Sequence, residues 1–235
     1  MRYLAIVLLS LSIVGCQQSK SKQISTQQNS PKRIPESTYA EMKDSIAAGR
    51  QRLSAKYNES GSDPIRLHAD LVDFWVTNIS NTLFLKWENT PWDFNGTTAI
   101  PKQGTIACGY FVTTVLRDMD LKINRTKLAV CPSSVMMKTL TPRQSLMNLS
   151  YGNLSEFDDT LKSLGKGVYI IGLDFHTGFL INDGKDNWFI HSNYIRRQGV
   201  TKEPVSNSIA LRSSKTKWVI SLTRDRDFMQ KWLKG

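Results

Sequence analysis

Apolar positions between residues 64 and 79 fall three to four apart, with Leu67, Leu71, Trp75 and Ile79 on one stripe, and this spacing predicts a helix with one buried face. Asp63 followed by Pro64 supplies its cap and first-turn proline. An earlier helix is expected to open at a capping box, Thr38 with Glu41, and to run to about Lys56. A third begins near Cys108, where apolar positions continue at helical spacing through Leu116. Residues 121–165 read as a largely helical excursion, its last helix capped by Ser155 with Asp158 and ended by Gly165. Beyond Gly167 the period changes to that of strands: Val168 to Leu173, Phe175 to Asn182, Asn187 to Asn193, about Ser208 to Arg212, and Lys217 to Leu222. A closing helix follows near Asp225 to Trp232. Helices first and an antiparallel sheet after them imply an α+β domain with N-terminal helices packed on a central sheet.

The first residues read as an address. Leu4 to Gly15 is an apolar run of 12 residues behind Arg2, too short to span a bilayer of roughly 30 Å, and it closes on Gly15-Cys16. That ending resembles the lipobox of bacterial lipoproteins, which implies a signal peptide at 1–15, lipidation at Cys16 and membrane attachment through that anchor. Residues 16–36 hold almost nothing to bury and are expected to be a flexible tether with a root-mean-square span of about 25 Å. Residues 37–235 form the folded domain. The chain carries 31 Lys plus Arg against 20 Asp plus Glu, and even without the first 36 residues it stays basic. Such charge suits an anionic partner without choosing among them.

Residues suited to nucleophilic chemistry are few. Cys108 and Cys131 are the thiols after Cys16, and His68, His176 and His191 the only imidazoles. His68 lies beside the apolar stripe and reads as a surface or partly buried side chain. Cys108 falls in the first turn of its helix, where unpaired amides lower a thiol's pKa. Gly109 beside it permits close approach of another backbone or of a substrate carbonyl. Asp183-Gly184 favours a two-residue hairpin turn. In that register residue 182 pairs with 185, Phe179 faces Trp188, and His176 lies directly opposite His191, one imidazole placed to orient the other. Asn193 shares the strand face and is an alternative orienter. A Cys108 to Cys131 disulfide is the alternative use of the thiols in an exported protein.

Ala107-Cys108-Gly109-Tyr110-Phe111-Val112, His176-Thr177-Gly178-Phe179-Leu180 and Phe189-Ile190-His191-Ser192 resemble, in that order, the nucleophile, base and third-residue segments of the NlpC-type cell-wall cysteine peptidases, a branch of the papain-like fold. Pro91-Trp92-Asp93-Phe94-Asn95-Gly96 is similar to the aromatic loop that precedes the family's cysteine, with Trp92 in the place of its Tyr. The likeness covers roughly residues 85–195. Ala107 stands where the family has Asp, and Gly109-Tyr110 where it has Ser-Gly. The resemblance implies a papain-like domain with an insertion at about 121–165 and a catalytic set of Cys108 as nucleophile, His176 as base and His191 as orienter. Trp92, Asp93 and Gly109 would then meet the substrate. It further implies hydrolysis of amide bonds in peptidoglycan stem or cross-bridge peptides, with no metal, cofactor or nucleic acid involved. The place of action would be the bacterial envelope, the outer membrane being favoured because Gln17 rather than Asp follows Cys16. An inactive envelope-binding lipoprotein and an acyltransferase on the same fold are the competing expectations.

Overall fold

The computed structural model describes residues 36–235 apart from 60 and 62. The signal peptide at 1–15, the lipidation site at Cys16 and all of the tether except its last residue, Glu36, lie outside the described residues. Helix α1 (Glu36–Asn58) already includes Glu36, so Thr38 stands inside the helix and not at its cap. Helix α2 (Pro64–Thr77) starts as expected, with the Asp63 carboxylate accepting from the Ile65 and Arg66 amides. Its buried stripe of Leu67, Leu71 and Trp75 continues to Ile79 in a π-helical segment, Asn78–Leu83, which leads into the short α3 (Phe84–Trp87).

The nucleophile candidate opens α4 (Cys108–Asp118). The excursion contains α5 (Arg125–Ala129), α6 (Ser133–Leu140), a two-residue strand β1 (Met147–Asn148) and α7 (Leu154–Leu164). The cap of α7 is Asn153, whose side chain accepts from Ser155 and Glu156, so the helix starts ahead of the expected Ser155. Gly165 ends it at φ +84, a left-handed backbone that favours glycine.

Then come β2 (Gly167–Gly172), β3 (Thr177–Asn182), β4 (Asn187–Asn193), β5 (Gly199–Pro204), α8 (Ile209–Ser213), β6 (Trp218–Ser221) and α9 (Arg226–Lys234). They form one six-stranded antiparallel sheet in the order β1-β6-β2-β3-β4-β5. One expectation is corrected here. Ser208 to Arg212 is helical, because the Ser208 hydroxyl caps the Leu211 amide, and a strand at β5 takes its place. Helices also cover both sheet faces. Val168, Ile170, Phe179, Ile181 and Ile190 pack with α1, α2, α4 and α9, while Tyr169, Ile171, Leu180, Phe189 and Val219 pack with α7 and α8. Double coverage explains why β2 and β3 are buried at every position.

The β3–β4 register departs from the one expected. Asn182 pairs with Asn187, and Phe179 with Ile190. The Asp183 carboxylate accepts from the Lys185 and Asp186 amides, and the Asp183 amide donates to the Asp186 carbonyl, so the connection spans residues 183–186. Phe179 therefore does not face Trp188, and His176 is not directly opposite His191. The displacement is two residues, which keeps both histidines on one face.

Candidate active site

Two features place Cys108 at the start of α4. The preceding loop is stitched to the chain just ahead of the helix: Ile106 donates to the Pro91 carbonyl at 2.9 Å and Ala107 to the Gly96 carbonyl at 2.8 Å. Behind it, the Ser192 hydroxyl donates to the Ile106 carbonyl at 2.6 Å, tying this approach to β4. The helix then packs on the sheet through Phe111, whose ring lies edge-on to Phe179 with centroids 6.2 Å apart.

The sulfur is half-buried and free, as is Cys131, whose thiol donates to the Leu128 carbonyl; the two form no disulfide. Burial pushes the Cys108 thiol above its ordinary value, against the downward pull of the amides of Thr177, Gly109 and Cys108 itself. The expectation that the helix start would lower this pKa is thus corrected, since desolvation outweighs three N–H groups. The Thr177 amide is informative in another way: it brings the residue next to His176 against the sulfur.

His176 occupies the turn just before β3, its carbonyl accepting from Leu173. Its Nε2 lies 2.7 Å from Nδ1 of His191, and Nε2 of His191 lies 3.2 Å from the Glu203 carboxylate on β5. Both rings are buried, and burial pushes both below the usual imidazole range, so they are neutral at pH 7. Phe189 floors the pair, stacked on His191 with centroids 4.0 Å apart and edge-on to His176. Directly across from His191 stands Gly178, where a Cβ would come within 2.8 Å of the His191 Cβ and 2.9 Å of the Ile190 carbonyl. The missing side chain is what lets the rings converge.

Tyr194 presents its ring edge to His176 at 4.9 Å and tilts against Trp92 at 6.3 Å. Burial, then the neighbouring Asp174 and Cys108, raise its hydroxyl pKa. Trp92 and Tyr194 therefore wall the site on its loop side.

The remaining sequence candidates are occupied differently. The Asp93 side chain accepts from the Asn95 amide and its carbonyl from Gly96, turning its own loop. Gly109 is buried, and a Cβ there would meet the Ala129 carbonyl at 2.2 Å, so its missing side chain accommodates the backbone of α5. Asn193 is spent on Gln198 and Ile195. His68 is exposed on α2. Among the described residues no cluster of three or more His, Cys, Asp or Glu side chains is arranged to hold a metal ion.

Glu203 and Tyr194 were not anticipated. Glu203 lies on an edge strand whose sequence, Gly-Val-Thr-Lys-Glu-Pro, has one apolar side chain and reads as a polar linker. Only the pairing of His191 with Thr201 and of Phe189 with Glu203 puts its carboxylate on the histidine face. Comparison with known proteins finds no matching family model, no matching curated protein and no matching solved structure.

Proposed function

We propose that the protein is a cysteine peptidase or amidase of papain-like architecture, lipid-anchored at Cys16 in the bacterial envelope and acting on peptidoglycan peptides. The observation that carries this reading is the 2.7 Å contact between His176 and His191, continued to Glu203, together with the Thr177 amide, next in the chain to His176, on the thiol that opens α4. A nucleophile, a base and a group that orients the base are what amide cleavage through a covalent intermediate requires.

In this mechanism the thiol and imidazole rest as a neutral pair. As the sulfur attacks the amide carbonyl, its proton passes to Nδ1 of His176, the ring nitrogen not turned to His191. The carbon–nitrogen bond breaks, the leaving amine takes that proton, and a thioester to Cys108 remains. Water, giving a proton to the same nitrogen, then attacks the thioester, releasing the acid and restoring the thiol. Backbone N–H groups at the start of α4 are the donors suited to the oxyanion. The net positive charge favours an anionic glycan–peptide mesh.

The test is digestion of purified sacculi in ¹⁸O-water, read by mass. The wild type is expected to release peptide fragments carrying one ¹⁸O at each new carboxyl terminus, and Cys108→Ala none. Release undiminished in Cys108→Ala overturns the assignment of the nucleophile; acyl transfer to an amine without ¹⁸O overturns hydrolysis.

A further inference from the structure

Glu203 touches neither Cys108 nor any atom that would react, yet it stands at the end of a line of hydrogen-bonding nitrogens that leads to the base. We infer that Glu203 is the positioning residue that sets the tautomer of both imidazoles, leaving the lone pair of His176 Nδ1 bare. The inference rests on the reading of His176 as the base, but its logic is that of hydrogen bonding alone.

A neutral imidazole carries one N–H and one bare nitrogen. Against the upward push of burial, hydrogen bonds with His191 and Ser208 hold the Glu203 carboxyl below its usual range, so at neutral pH it is a carboxylate and can only accept. The His191 nitrogen facing it at 3.2 Å, Nε2, must then carry the proton. Nδ1 of His191 is left bare and accepts from His176, whose Nε2 lies 2.7 Å away and must carry its own proton. One proton per ring leaves Nδ1 of His176 unprotonated. The carboxylate thus dictates, two rings away, which nitrogen receives a proton from a thiol. Had an amide side chain stood at 203, its NH₂ could donate to His191 and the whole line could reverse, leaving His176 with Nδ1–H and no base.

Geometry supports a built device. Glu203 sits on β5 across from Phe189, the ring that floors both histidines. Gly178 opens the space on the opposite side. The carboxylate is anchored a second time by Ser208, which also caps α8, so it is held from an element outside the sheet.

With only three histidines in the chain, one of them exposed at position 68, ¹⁵N spectra of the imidazoles in the full-length protein report the tautomers directly. At pH 7.5 His176 and His191 are expected each to show one N–H, at Nε2. A proton on Nδ1 of either ring, or a cationic ring, overturns the inference whatever the activity. In Glu203→Gln the two signals should move to averaged or reversed tautomers and turnover should fall at least tenfold with KM little changed. Wild-type tautomers and full turnover in that variant would also overturn it. If the wild-type tautomers are as assigned but no amide is cleaved, the proposed function fails while the assignment of Glu203 stands.

Discussion

A thiol at the first residue of a helix feels two opposing effects, and at Cys108 the cost of burying the anion is the larger. In the proposed mechanism the thiol would therefore be neutral until a substrate arrives, and proton transfer to His176 would accompany the attack. Alkylation by iodoacetamide in a Cys131→Ser background should accordingly be slow at pH 6 to 7 and rise only at a pH above that of an ordinary thiol, whose pKa is about 8.5. Rapid alkylation at pH 6 would mean a preformed thiolate–imidazolium pair. At this scale the sequence exposed the scarce chemistry: only two thiols follow Cys16, the imidazoles number three, and the hairpin signal puts two of them on one face. It did not expose Glu203, one acidic side chain among many, because a carboxylate's role depends on the strand face it occupies. Nor did it expose the thiol's burial, which comes from groups distant in the chain.

Secondary-structure elements bring these groups together through register and close approach. The hairpin connection was longer than the Asp-Gly signal implied, since Asp183 caps two further amides, yet an even displacement preserved the face shared by the histidines. Helices α2 and α4 were legible because a cap or an apolar stripe marks each. β5 and α8 were not: a polar edge strand carries no alternation, and a five-residue helix offers too few positions for a period. Gly178 is the element-level test. Gly178→Ala places a methyl 2.7 Å from the Phe189 ring, 2.8 Å from the His191 Cβ and 2.9 Å from the Ile190 carbonyl, which as ladder backbone has little room to move. The substitution should cost about 1–3 kcal/mol in urea unfolding, the range for overpacking a filled core, and should lower activity by separating the rings. An unchanged midpoint and full activity would show that the close approach is dispensable.

Across the whole molecule, the neutral buried histidines make the fold sensitive to acid. The folded pKa values of His176 and His191 are depressed, so as pH falls below about 6.5 the unfolded chain takes up protons that the folded chain refuses. Their contribution to stability is complete above that pH and is lost as pH falls through the folded values; Glu203, also depressed, acts in the same direction at lower pH. The thermal midpoint should therefore fall steadily from pH 7 to pH 5, and a midpoint that stays level or rises over that interval contradicts neutral burial. Among the described residues no helix is long and apolar enough to cross a membrane. The central claim, that this domain cuts amides through the thiol of Cys108, is tested most directly by quenching a working digest in acid and mapping the protein by mass. A substrate acyl group on Cys108 in the wild type, and its loss in His176→Ala, is the predicted result; turnover with no adduct at Cys108, or an adduct that forms as fast without His176, would contradict it.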